Sequence, residues 1–416
     1  MRLKVNSILF IITVLLVVHC KKNEPISQVK INDDNFLNAL IELGIDTDRD
    51  GQISFAEAEV VTYLNVNSLD ISDLTGIEKF VNLDTLYCYN NQLTSLDVSD
   101  IISLKYLDCR GCGLSTINFS NCTNIECLNC GFFATATKVY NNNLTNLDVS
   151  NQPALHDLNC AGNQLTSLDV SSNNSLENLS CNHNQLTNLD VSNNYALKYL
   201  NCTENQITTL DVTNNTDLFR LNCSYNQLTS LDVSNNNSLW SLACLANALQ
   251  LLDVSNNTAL LELECSYNQI TTLDVSNLSS LEMLFCWGNQ LGSIDLSDNL
   301  SLTALLCFDN SLTSLDISNN TLLQILECYN NHISSLDVSN NSALDILNCG
   351  ANQLTSLDIS NNTSLGTLNP VSYPLKLNDM PTLYEVCVWT MPFPPDYFEI
   401  DTTGSPNVYF TTECSK

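Results

Sequence analysis

A leucine returns every 21 residues between positions 155 and 365, and each unit carries a cysteine at its sixth position. The unit reads L-x-x-L-x-C-x-x-N-x-L-x-x-L-D-V-S-x-N-x-x. A fixed period of this length predicts a solenoid, because a single coil cannot bury its apolar face alone. The register extends back through three earlier units, with one insertion after the third, so that the cysteine position is held by Cys88, Cys109, Cys130, Cys160, Cys181, Cys202, Cys223, Cys244, Cys265, Cys286, Cys307, Cys328 and Cys349.

Each unit consists of two similar halves, and both alternate apolar and polar residues around a short segment. Alternation with a period of two is typical of a strand that buries one face. We therefore predict a mostly β fold in which two narrow parallel sheets flank a thin core, with little helix inside the repeats.

The cysteine column is interpreted as a packing feature, since 13 of the 19 cysteines occupy one equivalent position. Equivalent Cβ atoms on neighbouring parallel strands lie about 4.8 Å apart, which is longer than the Cβ–Cβ separation of a disulfide. Paired cysteines and histidines of a zinc site do not accompany the column. We expect reduced, buried thiols that act as small apolar side chains.

An asparagine follows three residues after the cysteine from Asn91 to Asn352, except that Cys112 replaces it once and that Asn142 holds this position after the insertion that follows Cys130. A buried amide in a turn can hydrogen-bond the backbone of its own and of the neighbouring coil. We expect this column to satisfy the backbone groups of the turns.

The pattern resembles the leucine-rich-repeat family, and the version with a cysteine is similar to the cysteine-ladder repeats of the internalin J type. Residues 73–83 also resemble the opening of internalin-type repeats. This resemblance covers residues 67–368 and implies a right-handed solenoid with short parallel strands at L-x-C.

The N-terminus reads as an export signal. Arg2 and Lys4 precede an apolar run at 8–18, and Cys20 follows directly after it. This arrangement resembles the lipobox of bacterial lipoproteins, although His19 stands where that family prefers a small residue. It implies a signal peptide at 1–19, lipidation of Cys20 and a membrane-anchored tether at 20–30, with plain secretion or an uncleaved anchor as alternatives.

Residues 31–66 are predicted to form a small helical cap around a calcium loop of the EF-hand type. The spacing of acidic residues, one glycine and a final glutamate matches such a loop at every defining position. We predict Ca²⁺ binding that stabilises the cap, with a metal-free acidic turn as the alternative. A helix is expected on each side, the exiting one over 56–64. The predicted ligands are Asp46, Asp48, Asp50, Gln52 (through its carbonyl), Ser54 and Glu57.

A column of aspartates from Asp97 to Asp358 lies in the second half of the units, with Asn118 as its exception. Neighbouring charges about 5 Å apart repel, and serines two residues away can donate hydrogen bonds to them. The column is interpreted as a solvated acidic face, with a strip that binds calcium or a basic partner as the alternative.

Positions five, seven and eight of each unit should face outward beside the cysteine. They are small or polar in the middle units and become aromatic in the later ones. Adjacent exposed aromatics predict a binding patch, with shielding of the sheet as the alternative. The predicted ligand-binding residues are Tyr267, Phe285, Trp287, Phe308, Asp309 and Tyr329.

Two further segments interrupt the repeat. The insertion at 131–139 is a second candidate for recognition, and Cys122 and Cys127 beside it could form a local disulfide. Residues 369–416 are rich in proline and are predicted to form a β-rich C-terminal cap, in which Cys387 and Cys414 pair because the protein is exported.

No arrangement of catalytic residues is apparent, so we expect no enzymatic activity. The net charge of −31 disfavours nucleic acid as a partner. We expect a monomeric, exported, lipid-anchored protein of a bacterial outer membrane or cell surface that binds a protein or carbohydrate ligand or mediates adhesion. The alternative is a passive structural surface protein.

Overall fold

The computed structural model describes residues 28–134, 138–367, 373–395 and 399–414. Its main feature is one parallel sheet of 16 strands, each contributed by a successive coil. The strands of this main sheet are β1 (Tyr63–Asn65), β2 (Thr85–Tyr87), β4 (Tyr106–Asp108), β6 (Cys127–Asn129), β9 (Asp157–Asn159), β10 (Asn178–Ser180), β11 (Tyr199–Asn201), β12 (Arg220–Asn222), β13 (Ser241–Ala243), β14 (Glu262–Glu264), β15 (Met283–Phe285), β16 (Ala304–Leu306), β17 (Ile325–Glu327), β18 (Ile346–Asn348), β20 (Leu375–Lys376) and β22 (Ile400–Asp401). The solenoid of short parallel strands predicted from the period is confirmed.

The repeat length sets the register of the main sheet. The central leucine of β14, Leu263, pairs with Leu284 of β15, which pairs with Leu305 of β16. These leucines are buried, while the residues on either side of them face outward. Equivalent outward positions therefore stack into straight columns along the sheet, and we call the surface they form the sheet face.

The cysteine after each strand points into the core. All 13 thiols of the column are free and buried. Burial disfavours the charged thiolate and raises the pKa, to about 12 for Cys160, Cys202 and Cys349. The column thus behaves as apolar packing.

The asparagine column fills the role expected from the sequence. Asn205 donates from Nδ2 to the carbonyls of Cys181 (3.1 Å) and Cys202 (3.0 Å), and its Oδ1 accepts the N–H of Leu186 at 2.9 Å. One amide therefore joins two adjacent coils. Where Cys112 replaces the asparagine, its thiol donates to the Cys88 carbonyl instead.

The second sheet is much shorter than we predicted. It is present at the two ends, as β3 (Ser95–Asp97) with β5 (Thr116–Asn118), and as β19 (Ser356–Asp358), β21 (Glu385–Cys387) and β23 (Tyr409–Thr411). In the coils between these two ends, one backbone hydrogen bond joins adjacent units on this side. An example is the bond from Gln185 N–H to the Leu165 carbonyl at 2.8 Å. A ladder requires successive bonds, so these segments are not strands.

A second column of buried asparagines, missed in the sequence, binds the coils together on that side. Asn215 is representative: it is fully buried and donates to the carbonyls of Val191 (3.1 Å) and Asn194 (2.8 Å). The column comprises Asn173, Asn194, Asn215, Asn236, Asn257, Asn299, Asn320, Asn341 and Asn362.

The N-terminal segment contains helix α1 (Asp34–Glu42) and helix α2 (Phe55–Ala58), followed by a short 3₁₀ helix at Ile77–Lys79. The exiting helix expected over 56–64 is a single turn, because the chain turns into β1 and pairs with β2. Strand β1 therefore lies within the range predicted for the cap. Asp33 caps α1 through Phe36 N–H and also accepts the N–H and hydroxyl of Ser72, which fastens the helix to the first coil.

The C-terminal segment continues the solenoid with two irregular coils. Strands β20 and β22 extend the main sheet, and β21 and β23 extend the second one. Cys387 and Cys414 are joined by a disulfide with a Cα–Cα distance of 5.5 Å.

The predicted signal peptide, Cys20 and most of the predicted tether lie outside the described residues. Over the part of the chain that is described, helices of sufficient length and apolar character to span a bilayer are absent.

Candidate binding face and candidate calcium loop

The sheet face brings the predicted aromatic residues together in one row. The ring centroids of Tyr267 and Trp287 are 4.2 Å apart, those of Trp287 and Phe308 4.7 Å, and those of Phe308 and Tyr329 4.3 Å. The last two pairs are stacked, with interplanar angles of 20° and 11°, and the first meets edge to face. With Phe285 on the neighbouring column, these residues form what we call the aromatic patch: Tyr267, Phe285, Trp287, Phe308 and Tyr329.

The backbone after the cysteine explains how the row is continuous. Tyr267 occupies the left-handed region (φ 49), as do its equivalents in neighbouring coils. Gly288 is the equivalent residue in the next coil, where an added Cβ would lie 2.8 Å from Cδ1 of Tyr267. The absent side chain leaves room for the Tyr267 ring to lie against Trp287.

The patch is exposed at its edge and covered at its centre. Tyr267 is 52% exposed, Trp287 and Tyr329 are half-buried, and Phe308 is 8% exposed because its neighbours lie on both of its faces. Apolar outward residues of the strands adjoin it, namely Met283, Leu306 and Ile325. Three adjacent coils thus present a largely apolar surface.

Carboxylates border this apolar surface. Burial raises the pKa of Glu264 and of Glu327 above the usual range. Burial, followed by the charges of Asp309 and Glu327, raises the pKa of Tyr329 to about 12. Asp309 accepts a hydrogen bond from the side chain of Asn330 at the rim of the patch.

A second aromatic cluster on the sheet face was not predicted from the sequence. The rings of Phe219 and Trp240 are stacked at 6.5 Å, and the guanidinium of Arg220 lies 5.6 Å from the Trp240 ring. These side chains occupy positions two and three of their units, ahead of the strand centre. The 21-residue period repeats these positions too, so the cluster can be recognised in the sequence.

The insertion forms a hairpin of β7 (Phe133–Ala134) and β8 (Val139–Tyr140). Phe133 packs near Tyr89, with ring centroids 5.3 Å apart, and near Tyr140 at 6.4 Å. A cavity of about 280 Å³ lies between the hairpin and the adjacent coils, lined by Phe132, Val139, Asn141, Gly162, Asn163 and His183.

The suggested disulfide between Cys122 and Cys127 is wrong. Both thiols are free. Cys122 is buried and its Sγ lies 3.1 Å from the Val98 carbonyl, whereas Cys127 is the first residue of β6 and faces outward. The two side chains lie on different sides of the coil.

The aspartate column is exposed and supported by local donors. Asp211 accepts the N–H and hydroxyl of Thr213 at 2.9 and 2.6 Å. Such bonds lower the pKa of most of these aspartates, as for Asp169, whose pKa is lowered first by the Ser171 side chain and then by the Ser171 N–H. The local hydrogen bonds therefore favour the charged form of these carboxylates.

The candidate calcium loop folds around its acidic residues. Carboxylate oxygens of Asp46, Asp48 and Asp50 all lie within 4.8 Å of one another. Gly51 (φ 79) provides the sharp turn, and its N–H donates to Asp46 at 3.0 Å. The oxygen-only donor set and its spacing fit a hard divalent cation.

Glu57 lies at the other end of the loop. Its carboxylate accepts from the N–H and hydroxyl of both Thr47 and Ser54 at 2.7–2.9 Å. Burial alone would raise the pKa of Glu57, but these donors lower it to about 2. The backbone at Ile53 is held by Val29, whose N–H donates to the Ile53 carbonyl at 2.7 Å. A segment of the same chain therefore pairs with the single loop.

Comparisons with known proteins identify relatives by structure. The functional domain of InlJ from Listeria monocytogenes, which includes a cysteine ladder, is 36% identical over 86% of this chain and 74% of that domain, with a TM-score of 0.75. A leucine-rich-repeat protein of Leptospira interrogans (22% identity, 86% and 97% coverage, TM-score 0.66) and YopM from Yersinia enterocolitica (23%, 84% and 78%, 0.57) share the fold. No protein-family model and no curated protein sequence matches the chain.

Proposed function

The chain belongs to the cysteine-ladder leucine-rich-repeat family that includes InlJ, and from this premise we propose that it is a bacterial cell-surface protein that binds a protein or glycan ligand through the aromatic patch. One observation carries the proposal: four aromatic side chains form an unbroken row over four consecutive coils. Scattered exposed aromatics are ordinary, whereas a contiguous apolar patch on a soluble surface is typical of a binding site.

Binding rather than catalysis is the activity that these residues support. Trp287 and Tyr329 offer large rigid contact areas, and Asp309 offers a hydrogen-bonding rim. The regular spacing of the parallel strands holds these side chains in place without the ligand, which reduces the entropy lost on binding.

A passive structural role is the second candidate. It is favoured by the 8% exposure of Phe308, which shows that the rings also cover one another and shield the sheet. In that case the aromatic row would contribute to stability and would contact no ligand.

The two candidates are distinguished by replacing the exposed rings. We expect Tyr267→Ser with Trp287→Ser to abolish binding to an array of host proteins and glycans, because these rings supply the contact area. Tyr195→Ser, which removes a 60% exposed tyrosine outside the patch, is the matched control and should bind like the wild type. Unchanged binding by the double variant would remove the ligand site from this surface.

Export and anchoring are part of the same proposal. The apolar run at 8–18 followed by Cys20 supports cleavage before Cys20 and its lipidation, which would hold the solenoid at a membrane surface. Mass spectrometry of the mature N-terminus from expressing bacteria should find a lipid-modified cysteine. A free N-terminus elsewhere would replace the anchor with plain secretion.

We also propose that the loop from Asp46 to Glu57 binds one Ca²⁺ to stabilise the N-terminal cap. Asp46, Asp48 and Asp50 would supply side-chain oxygens, Gln52 its carbonyl, Ser54 a further oxygen and Glu57 its carboxylate. A cation there would relieve the mutual repulsion of the carboxylates, which together with burial raises the pKa of Asp48 despite the hydrogen bond from Asp50 N–H.

A further inference from the structure

Two half-buried glutamates stand at the ends of the aromatic patch in a single column. The register pairs Glu264 with Phe285, Phe285 with Leu306, and Leu306 with Glu327. Two apolar side chains therefore separate two carboxylates along the axis of the solenoid.

Within the described part of the chain, neither the Glu264 carboxylate nor the Glu327 carboxylate belongs to an ion pair. Glu264 accepts one hydrogen bond, from Ser266 N–H at 3.1 Å. Lys376 lies two strands beyond Glu327 in the same column, where its charge partly opposes the rise that burial causes in the Glu327 pKa without forming an ion pair. Partly desolvated carboxylates are costly unless a positive charge approaches them.

The aromatic rings near these carboxylates also favour binding of a cationic group. A guanidinium or ammonium group is attracted to the face of an aromatic ring, most strongly to tryptophan. Tyr267 follows Glu264 by three residues and lies against Trp287, and Tyr329 follows Glu327 by two residues. The net charge of −31 adds a long-range attraction for a basic partner.

We propose that the aromatic patch binds an extended basic segment of a partner protein, with one cationic side chain at Glu264, one at Glu327, and an apolar side chain between them over Phe285 and Leu306. This inference rests on the proposed function and specifies the ligand of that site.

The spacing sets the sequence of the segment. Three steps between adjacent strands of about 4.8 Å separate the two glutamates by about 14 Å. An extended chain rises about 3.4 Å per residue, so residues i and i+4 span that distance and share one face with i+2. In an α-helix, i and i+4 are separated by about 6 Å along the axis, which is too short. The expected pattern is a cation, any residue, an apolar residue, any residue and a cation.

Synthetic peptides test this directly. The probe is G-R-T-L-T-R-G, and its matched control replaces both arginines by citrulline, which keeps the shape and removes the charge. Calorimetric titration of the full chain should detect binding of the arginine peptide, at least tenfold weaker binding of the citrulline peptide, and loss of affinity as salt is raised. A third peptide, with the arginines two residues apart, should also bind at least tenfold more weakly.

Variants of the protein complete the experiment. Glu264→Gln with Glu327→Gln should weaken binding of the arginine peptide by tenfold or more while leaving the circular dichroism spectrum unchanged. Asp274→Asn is the charge control, because Asp274 lies in the same unit as Glu264 but on its exposed aspartate column. It should bind like the wild type.

Equal binding of the arginine and citrulline peptides, or no binding of any peptide at millimolar concentration, would overturn the proposal. The outcome separates it from the proposed function: if an array ligand is lost in the Tyr267→Ser and Trp287→Ser variant but retained by the double glutamine variant, the patch binds a neutral ligand such as a glycan and only this inference fails. If neither variant affects array binding, the proposed function fails as well.

Discussion

At the scale of single residues, buried amides join adjacent coils of the solenoid by hydrogen bonds. Each asparagine after a cysteine bonds to backbone groups of two coils, as Asn205 does with Cys181, Cys202 and Leu186. Leucine packing favours burial without direction, whereas these bonds fix the distance and register between coils. The same arrangement repeats in every regular unit.

Replacing Asn205 by alanine should destabilise the protein by about 2–4 kcal/mol, because several buried backbone groups lose their partners. The loss is measurable by urea denaturation and as faster hydrogen exchange at the Leu186 N–H. Asn214→Ala is the control, since the exposed Asn214 side chain makes a single bond, to the Ser192 carbonyl. Equal effects of the two substitutions would contradict the structural role of the column.

The Asp33 carboxylate is a second residue whose effect is predictable. Burial would raise its pKa, but hydrogen bonds from Ser72 and Phe36 lower the pKa below the usual value. Its contribution to stability is therefore present above the unfolded pKa of about 3.9 and lost as pH falls through the lower folded pKa. Asp33→Ala should cost about 1–2 kcal/mol near neutral pH through loss of the helix cap, with little difference from wild type in strong acid. Acid and neutral melts of both proteins measure this, and a pH-independent difference would contradict it.

The adjacent asparagines show what a sequence pattern leaves open. Asn214 is exposed and Asn215 is fully buried, yet both belong to an Asn-Asn pair that recurs in most units. The burial of the asparagine column after the cysteine was predictable, because the buried cysteine and leucine on either side of it determine which way the side chain points. The second column was marked by the unit, which has asparagine at position 19 in most repeats while position 18 also holds residues such as Ser172 and Asp298. That this asparagine is buried and joins two coils required the structure.

At the scale of elements, the two ends of the solenoid are closed in different ways. The N-terminal end is covered by α1 and the candidate calcium loop, whose Ile53 is held by Val29. The C-terminal end is formed by two irregular coils and the disulfide between Cys387 and Cys414. Terminal units of a repeat protein need such closure because their inner faces lack a neighbour.

Calcium should bind at one site per chain. Equilibrium dialysis should find one bound Ca²⁺ per chain. Asp46→Asn with Asp48→Asn should abolish this binding, because the loop loses the negative charge of two carboxylates. Chelation should lower the melting temperature of the wild type and leave that variant unchanged. Several ions per chain would instead indicate that the aspartate column binds calcium, and no shift on chelation would refute the stabilising role of the loop.

Removing the C-terminal disulfide should loosen the last coils. Cys387→Ser with Cys414→Ser releases a link over 27 residues, and a loop of this length contributes about 3 kcal/mol. Hydrogen exchange should increase in β21 and β23, with the central coils unchanged. Increased exchange throughout the chain would indicate that the solenoid unfolds as one unit.

The extent of regular structure was only partly predictable at this scale. The L-x-C segments were recognisable as strands because buried leucine and cysteine alternate with outward residues. The second half of each unit alternates equally well, but there coils are joined mainly by side-chain amides such as that of Asn215. Alternation shows which side chains are buried, and it does not show whether the backbone forms a ladder.

At the scale of the whole molecule, the coils repeat one backbone structure, and the aromatic patch distinguishes a few of them from the rest. Most other coils present polar or tyrosine side chains on the sheet face. The three coils from β15 to β17 present the apolar centre of the aromatic patch. The patch was predictable because the cysteine fixes which neighbours face outward. Its boundary at Glu264 and Glu327 required the register of the strands, whereas the cluster around Trp240 could be found from positions two and three of the unit.

The modular repeat allows one measurement that tests whether the patch is the ligand site. Deleting residues 281–301 removes one whole unit, with Phe285 and Trp287, and joins two coils in register. Deleting residues 176–196 removes a unit of the same length that carries no residue of the patch. Binding of each protein to the same host-protein and glycan array should be lost after the first deletion and retained after the second. Retention of binding after both deletions would contradict the proposal that the aromatic patch is the ligand site.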